Sequence, residues 1–121
     1  GYGYEGLNRL VKIVGPAFAK EIFFTARRFD ADEARVMGLV NRVVPDAKVG
    51  DVVQETAEMI AANAPMTVES AKYIVAQTVM NESERNLDEC AARVKACFES
   101  ADYIEGRRAF LEKRKANFVG A

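Results

Sequence analysis

A basic cluster near the end of the chain holds the residues best able to bind a charged ligand: Arg107, Arg108 and residues 113–115. Phe110 stands three residues before Lys113, and in a helix that spacing places two side chains on one face. A ring beside an ammonium suits an adenine that carries a phosphate. It equally suits the packing of a solvated helix whose cations lie near its C-terminus. The pattern leaves both interpretations open.

The first six residues form a second candidate, because Gly1, Gly3 and Gly6 make this stretch glycine-dense. Such a stretch predicts an irregular loop whose backbone can approach another group closely. Glu5 lies within it, and it either faces a site or is only a surface charge. The spacing matches G-x-G-x-x-G, but that motif requires a preceding strand and none is present, so no dinucleotide site is predicted.

The chain has no histidine, which excludes a Ser-His-Asp or Cys-His site built from these residues alone. Zinc is also disfavoured, because Cys90 and Cys97 are the only soft ligands. On a predicted helix they lie about 10 Å apart along the axis. A disulfide requires less than about 7 Å, so we expect two thiols in a reducing cytoplasm. No metal, cofactor or catalytic residue is predicted.

Two acidic clusters could suggest acid–base chemistry, but their positions favour helix capping. Asp30, Asp32 and Glu33 form one cluster, and Asp88 and Glu89 form the other. Both fall in predicted first helical turns, where the helix dipole favours negative charge. Asp30 with Glu33, and Asn86 with Glu89, have the spacing of capping boxes.

The composition is that of one compact domain: 121 residues, 50% hydrophobic and 29% charged. The net charge of −1 gives no overall attraction to nucleic acid or to a membrane surface. No apolar run approaches the roughly 20 residues that a bilayer requires. We therefore predict neither partner.

Apolar periodicity predicts an all-α chain of about seven helices, several of them short. Gly15 and Pro16 separate the first two helices, Gly38 ends the third, and Ser100 caps the last. The predicted helical stretches are 7–14, 16–25, 30–37, 49–60, 65–79, 86–98 and 100–118, with an extended segment at 39–45 and loops at 1–6 and 81–85.

Several short motifs, in order and with matching spacing, resemble the C-terminal part of the enoyl-CoA hydratase/isomerase, or crotonase, family. Phe29 to Ala34 followed by Gly38 to Pro45 is similar to the best-known C-terminal signature of that family. The other matching stretches are 9–15, 19–21, 60–65, 71–72, 105–106 and 109–118. Together they cover essentially the whole chain.

The resemblance implies a helical C-terminal domain of an enzyme whose N-terminal domain is a spiral of ββα units. Residues 1–15 would then be a loop and short helix from the end of the spiral, and 16–121 the helical domain that forms trimers or hexamers and contacts CoA. Family members act on acyl-CoA thioesters, and two backbone N–H groups hold the developing enolate oxygen. Those groups and the family glutamates would precede Gly1, so we expect the chain alone to be inactive.

The resemblance also implies substrate-binding positions at Gly3, Gly6, Phe110 and Lys113. The glycine stretch departs from the proline-glycine-x-glycine-glycine-threonine run common in hydratases, since Tyr2, Tyr4 and Glu5 are unusual there. Hydration of a 2-enoyl-CoA in fatty-acid or related acid degradation is the expected reaction. An isomerase with a different acyl-CoA reaction, a non-enzymatic helical oligomerisation module and a small phosphate binder are the alternatives.

Overall fold

The computed structural model describes all 121 residues, and its only regular elements are helices. Six α-helices are present: α1 Tyr4–Thr25, α2 Ala31–Val36, α3 Val49–Ala61, α4 Pro65–Thr78, α5 Leu87–Glu99 and α6 Ala101–Leu111. Two 3₁₀ turns, Asp46–Lys48 and Glu82–Glu84, precede α3 and α5. The all-α prediction is confirmed. No helix is both long and apolar enough to cross a bilayer.

The chain divides into two compact units, an N-terminal unit of Gly1–Val49 and a C-terminal unit of Gly50–Ala121. The boundary at residue 15 that the resemblance implies stays a prediction. Helix α1 runs across that position, but Gly15 has φ 76° and ψ 166°, which breaks the helix there. Pro16 then begins the second half, where its missing N–H costs no hydrogen bond. The predicted pair of helices is thus confirmed.

Helix α1 begins earlier than the glycine pattern predicts. Gly3 is extended, with φ −74° and ψ 159°, and serves as the N-cap. The N–H of Leu7 donates to the carbonyl oxygen of Gly3 at 3.3 Å. The prediction of a loop over residues 1–6 is therefore wrong for Tyr4 to Gly6. Glu5 lies in the first turn, where its charge favours the helix end.

The capping box predicted for α2 is confirmed. The N–H of Glu33 donates to Asp30 Oδ1 at 2.8 Å, and the N–H of Asp30 donates to Glu33 Oε2 at 3.0 Å. Gly38 ends the helix with φ 78°. The N–H of Leu39 then reaches back to the carbonyl oxygen of Ala34 at 2.9 Å, which satisfies a carbonyl that the helix leaves unpaired.

The core of the N-terminal unit is small. Its buried residues are Val14, Ala19 and Met37, and half-buried apolar side chains pack around them: Leu10, Val11, Phe18, Ile22 and Phe29. The segment 39–45 that follows forms no strand. Its β-branched residues favour extended backbone, but a strand also requires a partner for its hydrogen bonds, and no other strand exists in the chain.

Arg27, just after α1, forms ion pairs with a glutamate of α1 and a glutamate of α2. Its Nη2 lies 2.9 Å from Glu21 Oε1 and 2.7 Å from Glu33 Oε1, and the guanidinium lies 3.7 Å from the centroid of the Phe29 ring. Two hydrogen bonds to the Glu33 carboxylate lower its pKa: the larger effect comes from Arg27 and the smaller from the N–H of Asp30. Glu33 therefore both caps α2, as the sequence predicts, and pairs with Arg27, which the sequence does not predict.

In the C-terminal unit, α4 packs against α5 and α5 against α6. Asn86 caps α5 by accepting from the N–H of Glu89 at 3.0 Å. The second capping box is only half formed, however. The N–H of Asn86 donates instead to Oε1 of the buried Gln77 at 2.7 Å, and Glu89 lies 2.7 Å from Arg93 Nε. A tertiary partner thus replaces the local one.

Candidate functional site

Helices α4, α5 and α6, together with the chain that follows α6, line an apolar groove of about 610 Å³. That volume lies within the range of small-molecule sites. The large apolar side chains along it are Ile74, Val94, Phe98, Tyr103, Phe110 and Phe118. The rings of Phe98 and Tyr103 meet edge to face, with centroids 5.1 Å apart. The groove therefore offers aromatic surface suited to a flat ring.

Phe110 is the most open of these aromatic side chains. It lies in the last turn of α6, lines the groove and is 83% exposed. Leu111 beside it is 78% exposed. A large apolar side chain that stays in water in the folded chain is available to contact a ligand or another protein surface.

The end of α6 differs from the prediction of one helix continuing to Phe118. Glu112 closes the helix and Lys113 takes the left-handed conformation, with φ 53°. The N–H of Lys113 donates to the Phe110 carbonyl at 3.2 Å, and the N–H of Arg114 donates to the Ala109 carbonyl at 3.0 Å. These two bonds form a Schellman motif. Phe110 and Lys113 thus lie on either side of a helix end, and the prediction that they share one helical face is wrong.

Two carboxylates on α6 explain why the chain turns back. Asp102 is only 2% exposed, and it accepts from the N–H groups of Val119 and Gly120, both at 2.8 Å. Its own N–H donates to the carbonyl oxygen of Ala121 at 3.1 Å. Hydrogen bonds to a buried carboxylate are stronger than neutral ones. They hold residues 112–121, the terminal segment, against the helix.

Glu105 is the second carboxylate. It accepts from Arg114 Nη1 at 2.6 Å and Nη2 at 2.9 Å, and from the N–H of Asn117 at 3.0 Å. These hydrogen bonds lower the pKa of Glu105 to about 2, with the larger effect from Arg114 and the smaller from the N–H of Asn117. Arg114 Nε also lies 2.6 Å from Glu112 Oε2. Sequence reasoning missed this pair, because nine residues separate its members and only the turn brings them together.

The remaining cations of the basic cluster differ from Arg114. Lys113 and Lys115 are exposed and form no ion pair with a carboxylate. The guanidinium of Arg107 lies 5.9 Å from the centroid of the Tyr103 ring. Arg114 is thus exposed but paired with Glu105 and Glu112, whereas Lys113 has no carboxylate partner.

The other two candidate positions, Gly3 and Gly6, lie at the start of α1 in the N-terminal unit. A Cβ at either position would meet no atom within 4 Å, so this backbone is open to approach from outside. Glu5 between them is exposed. Tyr2 packs against Phe23, with ring centroids 4.7 Å apart. Tyr2, one of the residues that are unusual in this stretch, thus packs on the side chain of Phe23 in α1.

The two thiols lie on α5 and remain unpaired. Cys90 and Cys97 are both half-buried, and Cys97 contributes to the wall of the groove. No group of three or more metal-binding side chains comes together anywhere in the 121 residues. The groove is thus bounded mainly by apolar groups, and its charged lining residues are Asp102 in the first turn of α6 and Arg107 further along that helix.

Comparison with known proteins agrees with this arrangement. The enoyl-CoA hydratase/isomerase family matches residues 3–121, so the chain belongs to that family. It is 37% identical to the crotonyl-CoA hydratase of Syntrophomonas wolfei, over 97% of this chain and 45% of that protein. It is 33% identical to the methylmalonyl-CoA decarboxylase of Escherichia coli, over 98% of this chain and 46% of that protein.

A solved structure shows the same fold. The enoyl-CoA hydratase/carnithine racemase from Magnetospirillum magneticum superposes with a TM-score of 0.85 at 38% identity, over 100% of this chain and 45% of that one. The chain spans about half the length of the relatives it matches. The prediction that the chain is the helical C-terminal part of a crotonase-type protein is therefore confirmed.

Proposed function

We propose that the chain is the helical, CoA-contacting part of an enzyme that acts on acyl-CoA thioesters, and that the enzyme hydrates 2-enoyl-CoA. The observation that carries this proposal is the 37% identity to a crotonyl-CoA hydratase along 97% of the chain. A family isomerase with another acyl-CoA reaction is the second candidate, because a relative that is 32% identical is named an enoyl-CoA isomerase/hydratase, and another is named a methylmalonyl-CoA decarboxylase. These relatives are all named for acyl-CoA substrates, but the reactions in their names differ.

Within this enzyme, we assign Phe110 and Lys113 to the nucleotide end of CoA. The exposed ring of Phe110 offers an aromatic face for adenine. The ammonium of Lys113 has no carboxylate partner and can approach a ribose phosphate as a compact charge. Gly3 and Gly6 are assigned to the acyl end, where backbone without side chains lets a substrate come close.

We further propose that the protein is a cytoplasmic homo-oligomer, a trimer or a hexamer. Half or more of the surface of Val53, Ile60 and Phe98 is exposed, and no large side chain is fully buried. Apolar surface of this kind marks association sites. The two unpaired thiols suit a reducing compartment. The same surface would serve the alternative of a non-enzymatic oligomerisation module.

The test is an assay of the full-length protein that contains this chain, with crotonyl-CoA as substrate. We expect the absorbance of the conjugated thioester to fall as water adds. A 3-enoyl-CoA and methylmalonyl-CoA, assayed in parallel, separate isomerase and decarboxylase chemistry from hydration. If none of the three is consumed and CoA does not bind, the oligomerisation module becomes the better interpretation.

A further inference from the structure

Lys113 is held between two sets of hydrogen bonds. On the helix side, the N–H groups of Lys113 and Arg114 donate to carbonyl oxygens in the last turns of α6. After it, Glu105 binds the guanidinium of Arg114 and the N–H of Asn117. A lysine with φ 53° adopts a backbone conformation that L-residues disfavour, so neighbouring bonds must hold it there. Glu105 supplies those on the C-terminal side.

The same pair also controls the charge around Lys113. Glu105 and Glu112 are the carboxylates closest in the chain to this turn, and the guanidinium of Arg114 engages both. A fork of five N–H donors can hold two carboxylates, whereas an ammonium acts as a point charge. Without Arg114 in place, either glutamate could turn to the Lys113 ammonium and neutralise it.

We propose that Glu105 is a positioning residue for ligand binding, which acts through Arg114 to hold Lys113 in its left-handed turn with its ammonium uncompensated. This inference rests on the proposed contact between Lys113 and a CoA phosphate. It adds that a carboxylate, itself unfavourable toward an anionic ligand, increases affinity for that ligand. Removing a negative charge by Glu105→Gln should therefore weaken phosphate binding, against the direction that simple electrostatics gives.

The experiment measures the dissociation constants of CoA and of 3′-dephospho-CoA for the full-length protein by titration calorimetry. The variants are Glu105→Gln, Lys113→Ala and the double variant. Glu99→Gln is the matched control. It makes the same change of charge, but Glu99 pairs with Lys95 on α5 instead of with Arg114. The quantity compared is the preference for CoA over its dephosphorylated form, which a general loss of stability would not change.

We expect Lys113→Ala to abolish the preference and Glu105→Gln to reduce it about three- to tenfold, a range typical of coupled neighbours. In the Lys113→Ala background, Glu105→Gln should have no further effect on the preference. Glu99→Gln should leave it unchanged.

Three outcomes would overturn the inference, and they differ from one another. If Lys113→Ala retains the full preference, the proposed phosphate contact itself fails. If Lys113→Ala loses the preference but Glu105→Gln matches Glu99→Gln, the contact stands and the positioning role is wrong. If Glu105→Gln weakens both ligands equally while the melting temperature falls, Glu105 has only a structural role.

Discussion

The carboxylate of Glu105 and the guanidinium of Arg114 form a two-pronged ion pair, with N–O distances of 2.6 and 2.9 Å, across the turn that ends α6. This geometry matches the planar fork of an arginine to both oxygens of a carboxylate. The pair joins a residue in the middle of the helix to the terminal segment, and it lowers the pKa of Glu105 to about 2.

The first prediction concerns acid stability. The pKa of Glu105 falls from 4.5 to about 2 on folding, so its stabilising effect is complete above pH 4.5 and is lost as the pH falls toward 2. Glu105→Gln mimics the protonated form and removes this effect at every pH. The difference in unfolding midpoint between wild type and variant should therefore be greatest near neutral pH and shrink toward pH 2. Urea unfolding at several pH values, with Glu99→Gln as the charge-matched control, measures it; a difference that does not vary with pH would contradict the assignment.

Asp102 supports the second prediction, because its buried carboxylate holds the N–H groups of Val119 and Gly120. Asp102→Asn presents an NH₂ group to one of these donors. It should cost about 1.5–3 kcal/mol, the scale of hydrogen bonds to charged groups. Amide hydrogen exchange should speed up at both residues. Asp88→Asn, at an exposed position in the first turn of α5, is the control. Unchanged exchange at Val119 and Gly120 would show that Asp102 does not hold the terminal segment.

The third prediction tests the backbone at the end of α2. Gly38 has φ 78°, and a Cβ added there would lie 3.7 Å from the Ile13 carbonyl oxygen, an ordinary contact. Gly38→Ala should therefore cost about 1–2 kcal/mol through the backbone conformation alone. Ala26, with φ 50° at the end of α1, is the reverse case in the same unit. Ala26→Gly should be neutral or slightly stabilising, and denaturant unfolding compares the two. Equal losses from both would show that the left-handed geometry is not the cause.

The helix starts could be predicted from sequence where the partners are local. Asp30 with Glu33, and Ser100 with Tyr103, lie three residues apart, so the sequence alone brings donor and acceptor together. The end of α6 could not be predicted in this way. Residues 112–118 continue a helical apolar pattern, but hydrogen bonds from Asn117 to Glu105 and from Val119 to Asp102 span 12 and 17 residues.

The candidate site shows the same limit. Phe110 could be picked out as exposed aromatic surface beside cations, but its relation to Lys113 could not. Helical spacing predicts a shared face, whereas the left-handed Lys113 turns the chain away after Glu112. Likewise, Gly3 could be recognised as conformationally special, but a glycine-rich stretch does not reveal that its third residue becomes a helix cap.

The fourth prediction is that the 121-residue chain self-associates. Val53 and Ile60 lie on α3, are 62% and 52% exposed, and none of the residues of α3 is buried. Apolar surface left in water favours association. Light scattering over a range of concentrations should show species larger than the 13.4 kDa chain. Val53→Lys should shift the distribution toward the monomer, with Glu55→Lys as the control on the same helix. A strict monomer at high concentration would contradict the prediction.

The last prediction concerns Lys113 in the full-length protein and tests its proposed contact with CoA. Its ammonium has no carboxylate partner, and if it meets the ribose phosphate of CoA, Lys113→Ala should cost about 1.5–3 kcal/mol, the scale of a hydrogen bond to a charged group. The loss should appear in KM more than in kcat, because the nucleotide end is remote from the reacting bond and is bound alike in the ground and transition states.

The assay compares an acyl-CoA with a short pantetheine thioester that carries the same acyl group but lacks the nucleotide. Lys113→Ala should raise KM for the acyl-CoA and leave kinetics with the pantetheine thioester unchanged. Lys115→Ala removes a neighbouring exposed ammonium and is the control for a nonspecific charge effect. If both substrates suffer equally, the substitution disturbs the enzyme as a whole. If neither substrate is affected, Lys113 does not contact the nucleotide, and the phosphate must be bound by another cation of the basic cluster or by no residue of this chain.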